Sequence, residues 1–194
     1  MKEKKQIRLK DYDYSKSGYY FVTVCTQNRT EWFGKVKSGI THLNKVGEFA
    51  KTFWAEIPGH FEDVEIDEFS IMPNHAHGIL IIERNMVGDA YMRPHQRNAF
   101  MHSLQDKTKM LLSKIIQQYK ASVTHKINNL QNDVHFQWQR SFYDHVIRNE
   151  RELFRIREYI QNNPLRWGLD RENPLSKNFD LDHDRYWKEI YDSV

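Results

Sequence analysis

The stretch MPNHAHGILII, residues 72–82, joins a Pro-Asn pair that can turn the chain to an apolar run opening on two histidines one residue apart. Side chains alternate along a strand, so His75 and His77 share one face, about 6–7 Å apart along the chain. Two imidazoles at that spacing can converge on one metal ion. They fit equally well on a solvated strand end, and the pair alone leaves both readings open. In either case the chain builds a strand here, entered through a turn.

The elements around it follow from period and punctuation. GYYFVTVCTQ (18–27) is aromatic and β-branched and reads as a buried strand. EWFGKVKSGITHL (31–43) reads as a hairpin around its Ser-Gly pair. Asn44 then caps a helix whose Val46, Phe49, Ala50, Phe53, Trp54 and Ile57 recur at helical spacing, with Pro58-Gly59 as its stop. FEDVEIDEFSIM alternates as a strand with a slip near Asp67-Glu68. Residues 84–105 keep no steady period and read as a long loop. Leu112, Ile115, Ile116, Tyr119, Val123 and Ile127 mark one face of a helix over 107–129. HFQWQRSFYDHVI (135–147) reads as the last strand, and 149–163 as a helix capped by Asn149 and closed before Pro164. The polar tail from 170 onward receives no role.

Strand, helix, strand, strand, helix, strand is the order of a ferredoxin-like split βαβ fold. The expectation is an α+β protein with a four-stranded antiparallel sheet from 19–26, 61–71, 75–83 and 135–146. Helices 44–57 and 107–129 lie on one face of it, so the histidine strand is expected to look toward helix 107–129. A hairpin insertion and a C-terminal helical extension complete a single domain, 1–194, with a core of about 8–147 and an extension of 148–194.

Composition supports a folded chain: 39% of residues are hydrophobic and 13% aromatic, more than a disordered chain carries. The single cysteine, Cys25, sits inside an apolar run and reads as a buried thiol; a chain without disulfides fits a reducing cytoplasm. No stretch approaches the roughly 20 apolar residues of a membrane span. Net charge is only +3, but residues 107–132 hold five lysines and no Asp or Glu. A basic helix beside a candidate metal site is a candidate phosphate track, with Lys114, Lys120, Lys126 and Arg84 as phosphate-binding candidates, which the resemblance below turns into DNA-binding ones, and Arg93 and Arg97 beside them. Trp138, Trp167 and Phe142 are either core aromatics or stacking platforms for unpaired bases. Tyr119 lies on the apolar face of its helix, where it serves as a core aromatic or offers a hydroxyl to a neighbouring metal site.

MPNHAHGIL, a helical tyrosine some 40 residues later in IIQQYKASVTHKI, and the segment WQRSFYDHVIRNERELFRIREYIQNNPLRWGL together resemble the single-tyrosine HUH transposases. Within these the chain is most similar to the REP-associated tyrosine transposases, from about residue 8 to 169. The resemblance implies a ferredoxin-like fold that binds single-stranded or hairpin DNA, with Mg²⁺ or Mn²⁺ held by His75 and His77. It implies that Tyr119 attacks a phosphodiester, becomes linked to the 5′ phosphate and releases a 3′ hydroxyl, so that another 3′ hydroxyl can complete strand transfer. Tyr143 is the runner-up nucleophile. Relatives often place a third metal ligand one helical turn after the tyrosine, where this chain has Val123; Asn128, His125, Asp67 or water are the substitutes. A domesticated hairpin-binding protein that does not cut is the alternative. Monomer and homodimer are both open.

Overall fold

The computed structural model describes residues 17–83, 94–130 and 135–176, with side chains in the second stretch from 111 onward. In chain order they form β1 (Gly18–Cys25), a hairpin of β2 (Gly34–Lys37) and β3 (Ile40–Leu43), α1 (Lys45–Ala55), the single turn α2 (Ile57–His60), β4 (Val64–Ile71), β5 (His75–Ile82), α3 (Pro94–Leu130), β6 (Tyr143–Ile147) and α4 (Glu150–Asn162). The sheet runs β4-β5-β1-β6 with every neighbouring pair antiparallel. Each of the crossovers β1-α1-β4 and β5-α3-β6 skips one strand. This is the α+β, ferredoxin-like split βαβ arrangement that the order of elements predicts.

One face of the sheet carries α1 and α3. Asn44 starts α1 by accepting hydrogen bonds from the backbone of Val46 and Gly47, both at 2.9 Å, which satisfies two of the otherwise orphaned amides of the first turn. Ala50 and Trp54 then meet Ile115, Ile116, Tyr119 and Val123 of α3 over Val22, Val24, Ala76 and Leu80 of the central strands. Gly78 makes this packing possible, because a side chain there would collide with Phe69 and the Trp54 ring. The opposite face is covered by α4, whose Leu153, Ile156 and Ile160 bury Phe21, Ile79 and Ile147. The expected slip in β4 is a register shift between Ile66 and Phe69. It turns Asp67 toward Arg157 of α4, at 2.7 Å, and Glu68 toward Gln161, at 3.0 Å.

Two expectations need correction. Helix α3 begins at Pro94, so most of the segment read as a loop is helical in backbone; only 84–93 lies outside the described residues. An apolar period reports a packed face, which helical backbone does not require, and proline suits a first turn where its missing N–H costs nothing. Residues 135–142 are not strand. They touch β1's continuation through a single bridge, Thr26 to Trp138, because their aromatics turn inward: Phe136 and Trp138 pack on Phe33, and the Trp138 indole donates to Lys120 O at 3.1 Å. No helix among the described residues is long and apolar enough to cross a membrane.

Candidate active site

The Pro-Asn turn before β5 is stitched in place by its backbone: Pro73 O accepts from Phe33 N and Asn74 O from Thr26 N, both at 2.9 Å. From this anchor the strand's alternation sends Ala76, Gly78 and Leu80 toward α3 and His75 and His77 to the other face, toward α4. Both rings are buried, with centroids 4.9 Å apart at 65°. The Asn74 amide nitrogen donates to Arg29 O at 3.0 Å and Glu172 O at 2.6 Å, so its oxygen is the atom 3.0 Å from His75 Nδ1. That oxygen only accepts, so Nδ1 carries the hydrogen and Nε2 keeps a lone pair. Both nitrogens of His77 are buried with no hydrogen-bond partner among the described residues.

Burial pushes both imidazoles down to about 3, with the His75 ring adding to the effect at His77. They are therefore neutral near pH 7, the form that ligates metals. Leaving a polar atom buried and unpaired costs about 1–3 kcal/mol, which singles out the His77 ring as the one open to a further partner. The ring of Tyr159, half-exposed on α4, lies 5.5 Å from His77, and Phe21 packs 5.9 Å from each of these two rings. Trp167, in the short helical turn Trp167–Leu169, stands 6.1 Å from His75.

One helical turn beyond Tyr159 is Asn163, also buried. Its nitrogen donates to Asp170 Oδ2 at 2.6 Å, while its oxygen has no partner among the described residues. Among those residues no group of three His, Cys, Asp or Glu side chains is arranged to hold a metal. Two neutral imidazoles plus an amide oxygen form a different donor set, and its unpartnered buried atoms fit a divalent cation. Nitrogen-rich sites of this kind follow the Irving–Williams order, so affinity should exceed that for Mg²⁺ once a transition ion such as Mn²⁺ is offered.

The structure does not bring Tyr119 to the histidines. It points from α3 into the core on the other face, 5.0 Å from Trp54 and 5.7 Å from Trp138, and is only 2% exposed. Burial raises the pKa of its hydroxyl far above the usual value. The physical reason is the strand period itself: α3 packs on the even-numbered residues of β5, and the histidines are odd. Val123 is core as well, on the face away from the histidines. His125 and Asn128 lie on the same remote helix, Asn128 accepting from Phe136 N at 3.0 Å, and Asp67 is engaged by Arg157.

The lysines share that displacement. Lys114 is exposed on α3, Lys126 lies 5.0 Å above the Phe49 ring, and the Lys120 ammonium donates to Gln139 O at 2.6 Å. Arg84 and Arg93 fall outside the described residues, as does the Arg97 side chain. Tyr143 does share the histidines' face, opposite Thr23 of β1, which in turn opposes His77. It is two strands away from β5, with Arg171 above its ring at 5.5 Å. Trp138 is core, Phe142 packs against the core, and Trp167 alone of the three aromatics stands beside the histidines.

Tyr159, Asn163 and Asp170 were not singled out by period or motif. A signal for the first two exists in hindsight: Tyr159 and Asn163 follow Ile156 and Ile160 at i+3, so two polar groups ride the edge of an apolar stripe. Asp170 carries no such signal, because a loop residue is placed only by the folded chain.

No family model matches the chain. An uncharacterized protein of Haemophilus influenzae is 39% identical over 167 residues, covering 86% of this chain and 91% of that protein. A second protein of the same species, named "Putative REP-associated tyrosine transposase", is 28% identical over 157 residues, covering 80% of this chain and 75% of its own length. Among solved structures, that of a REP-associated tyrosine transposase bound to a REP hairpin superposes with a TM-score of 0.53 at 21% identity, over 83% of this chain and 74% of that one. The structural likeness carries the fold, and in sequence the chain is similar both to the uncharacterized protein and to the protein named as a REP-associated tyrosine transposase.

Proposed function

We propose that this chain is a metal-dependent transposase that cuts and rejoins single-stranded DNA beside hairpins, and that Tyr159 is its nucleophile. The observation that carries the reading is the Tyr159 ring, partly open to solvent and 5.5 Å from the buried, neutral His77. Similarity to the protein named as a REP-associated tyrosine transposase supports the transposase class, and the structure solved with a REP hairpin supports the kind of DNA.

In this reading His75, His77 and Asn163 hold the divalent ion, Mg²⁺ or Mn²⁺, which when bound supplies polarisation of the scissile phosphate. The Tyr159 oxygen forms a bond to phosphorus as the P–O3′ bond breaks. Its proton is released, and the departing 3′ oxygen takes one up. The tyrosyl phosphodiester keeps the bond energy, so attack by another 3′ hydroxyl frees the tyrosine and joins the new strand. Its position on α4, a rigid helix clamped to β4 by Asp67–Arg157, holds the hydroxyl near the reacting phosphate rather than leaving it to a loop. In the same reading Trp167, 6.1 Å from His75, stacks on an unpaired base. Phosphate contacts on this face come from the arginines of 148–171, with Arg148, Arg151 and Arg166 exposed, rather than from Lys114, Lys120 and Lys126.

The test incubates parent, Tyr159→Phe, Tyr119→Phe and Tyr143→Phe with end-labelled hairpin DNA bearing single-stranded flanks, in Mn²⁺, and follows label that stays with denatured protein. Label is expected on the parent, Tyr119→Phe and Tyr143→Phe, and absent from Tyr159→Phe. Label retained by Tyr159→Phe would refute the assignment. An unlabelled parent that still binds the hairpin would favour a protein that binds without cutting.

A further inference from the structure

The hydrogen bonds behind the three ligands reach into the turn after α4. Resting on the reading of His75, His77 and Asn163 as metal ligands, we infer that Asp170 is the positioning residue of the site: its carboxylate holds the Asn163 amide so that oxygen, not nitrogen, is presented to the metal.

Only the oxygen of an amide has lone pairs to give a cation, and the two flips of an asparagine have nearly the same shape. Something must choose between them. Asp170 Oδ2 accepts from Asn163 Nδ2 at 2.6 Å, and a carboxylate cannot donate, so the reversed amide would set oxygen against oxygen. Asp170 is itself fixed: its Oδ1 accepts from Glu172 N at 2.6 Å, its backbone N–H donates to Trp167 O at 3.1 Å, and it is buried. The same turn braces the first histidine, since Glu172 O receives the Asn74 amide whose oxygen orients His75. Residues 170–172 therefore stand behind two of the three ligands. Asp170 also places one negative charge behind a donor set that is otherwise neutral.

Outer-shell partners of this kind typically account for about 10- to 100-fold in metal affinity. The experiment titrates Mn²⁺ calorimetrically into full-length protein without DNA, for the parent, Asp170→Asn, Asn163→Ala and the exchange Asn163→Asp/Asp170→Asn, with thermal unfolding of each. In Asp170→Asn the new amide can donate to Asn163 Oδ1, turning the ligand's nitrogen forward, and affinity is expected to fall about 10- to 100-fold. In the exchange the new carboxylate at 163 accepts from the new amide at 170 and keeps an oxygen for the metal, so affinity is expected back within about tenfold of the parent. A purely structural role would change the melting temperature without this recovery.

Asp170→Asn binding within about twofold of the parent, or an exchange variant no tighter than Asp170→Asn, overturns the inference while leaving the ligands in place. If Asp170→Asn does not fold, the exchange variant decides alone, with binding within about tenfold in favour and anything weaker against. A parent that binds no Mn²⁺, or an Asn163→Ala variant that binds like the parent, overturns the ligand reading itself and the inference with it.

Discussion

On the α1–α3 side of the sheet, Val22, Ala76, Leu80, Trp54 and Ile116 close a continuous apolar core that takes in even Tyr119. On the α4 side the same two central strands present Phe21 and Ile79 beside His75 and His77, and the covering helix adds Tyr159 and Asn163. Unpaired polar atoms occur on both sides, but differently. The Tyr119 hydroxyl and the Trp54 indole nitrogen stand at the ends of rings that otherwise pack in hydrocarbon, and Tyr119 lines a cavity of about 10 Å³, roughly the room of one water. On the other face, both ring nitrogens of His77 and the amide oxygen of Asn163 are left without a partner among the described residues, with His75 and Tyr159 beside His77. One strand thus alternates between an apolar face and a face that holds unpaired polar atoms. The two faces can be perturbed separately.

The largest stability effect is expected on the apolar face. Trp54 is wholly buried, stacks against Phe69 and meets Tyr119 edge-on. Trp54→Ala should cost about 3–5 kcal/mol in urea unfolding. Tyr159→Phe, on a half-exposed ring, should change stability by less than about 1 kcal/mol. Equal costs would mean that the two faces are packed alike.

Proton linkage should read out the polar face. The folded histidines are pushed down to about 3 from an ordinary 6.5. Between those values the unfolded chain binds protons that the folded chain does not. Stability is therefore full above pH 6.5 and falls as pH drops toward 3. Two such groups give a slope of up to about 2–3 kcal/mol per pH unit. Urea midpoints measured with a chelator at pH about 7, 6 and 5 check the slope. His77→Leu should roughly halve it and, by removing two unpartnered nitrogens, raise stability at neutral pH by about 1 kcal/mol or more. A flat profile in the parent would show that the rings are solvated.

The smallest effect belongs to the clamp between β4 and α4. Arg157 is well exposed, although its hydrogen bond to Asp67 raises its pKa. Asp67→Asn should therefore cost only about 0.2–1 kcal/mol by thermal unfolding. A larger loss would make the bulge, rather than apolar burial, the main fixture of α4.

Most of the fold was legible because its signals are local. Asn44 and Asn149 cap helices where the sequence places them, the slip falls at Asp67–Glu68, and the strand and helix order yields the observed sheet. Cys25 is a buried free thiol, its pKa raised by burial and by Glu172 beside it. The segment 135–142 failed because its alternation belongs to aromatics that plug a core, which looks the same in sequence as a pleated strand.

The sequence by itself determined that His75 and His77 share a face, since a side-chain period of two is a property of any strand. It could not say which face, because that depends on which helix packs against the alternate residues, and α3 and α4 both carry an apolar stripe with a tyrosine in or beside it. Only the tertiary structure decided that α3 takes Ala76, Gly78 and Leu80, burying Tyr119, while α4 lies over the histidines with Tyr159. It likewise brought Asp170 and Glu172 back against residues 74 and 163, a closure over as many as 98 positions that no local pattern records.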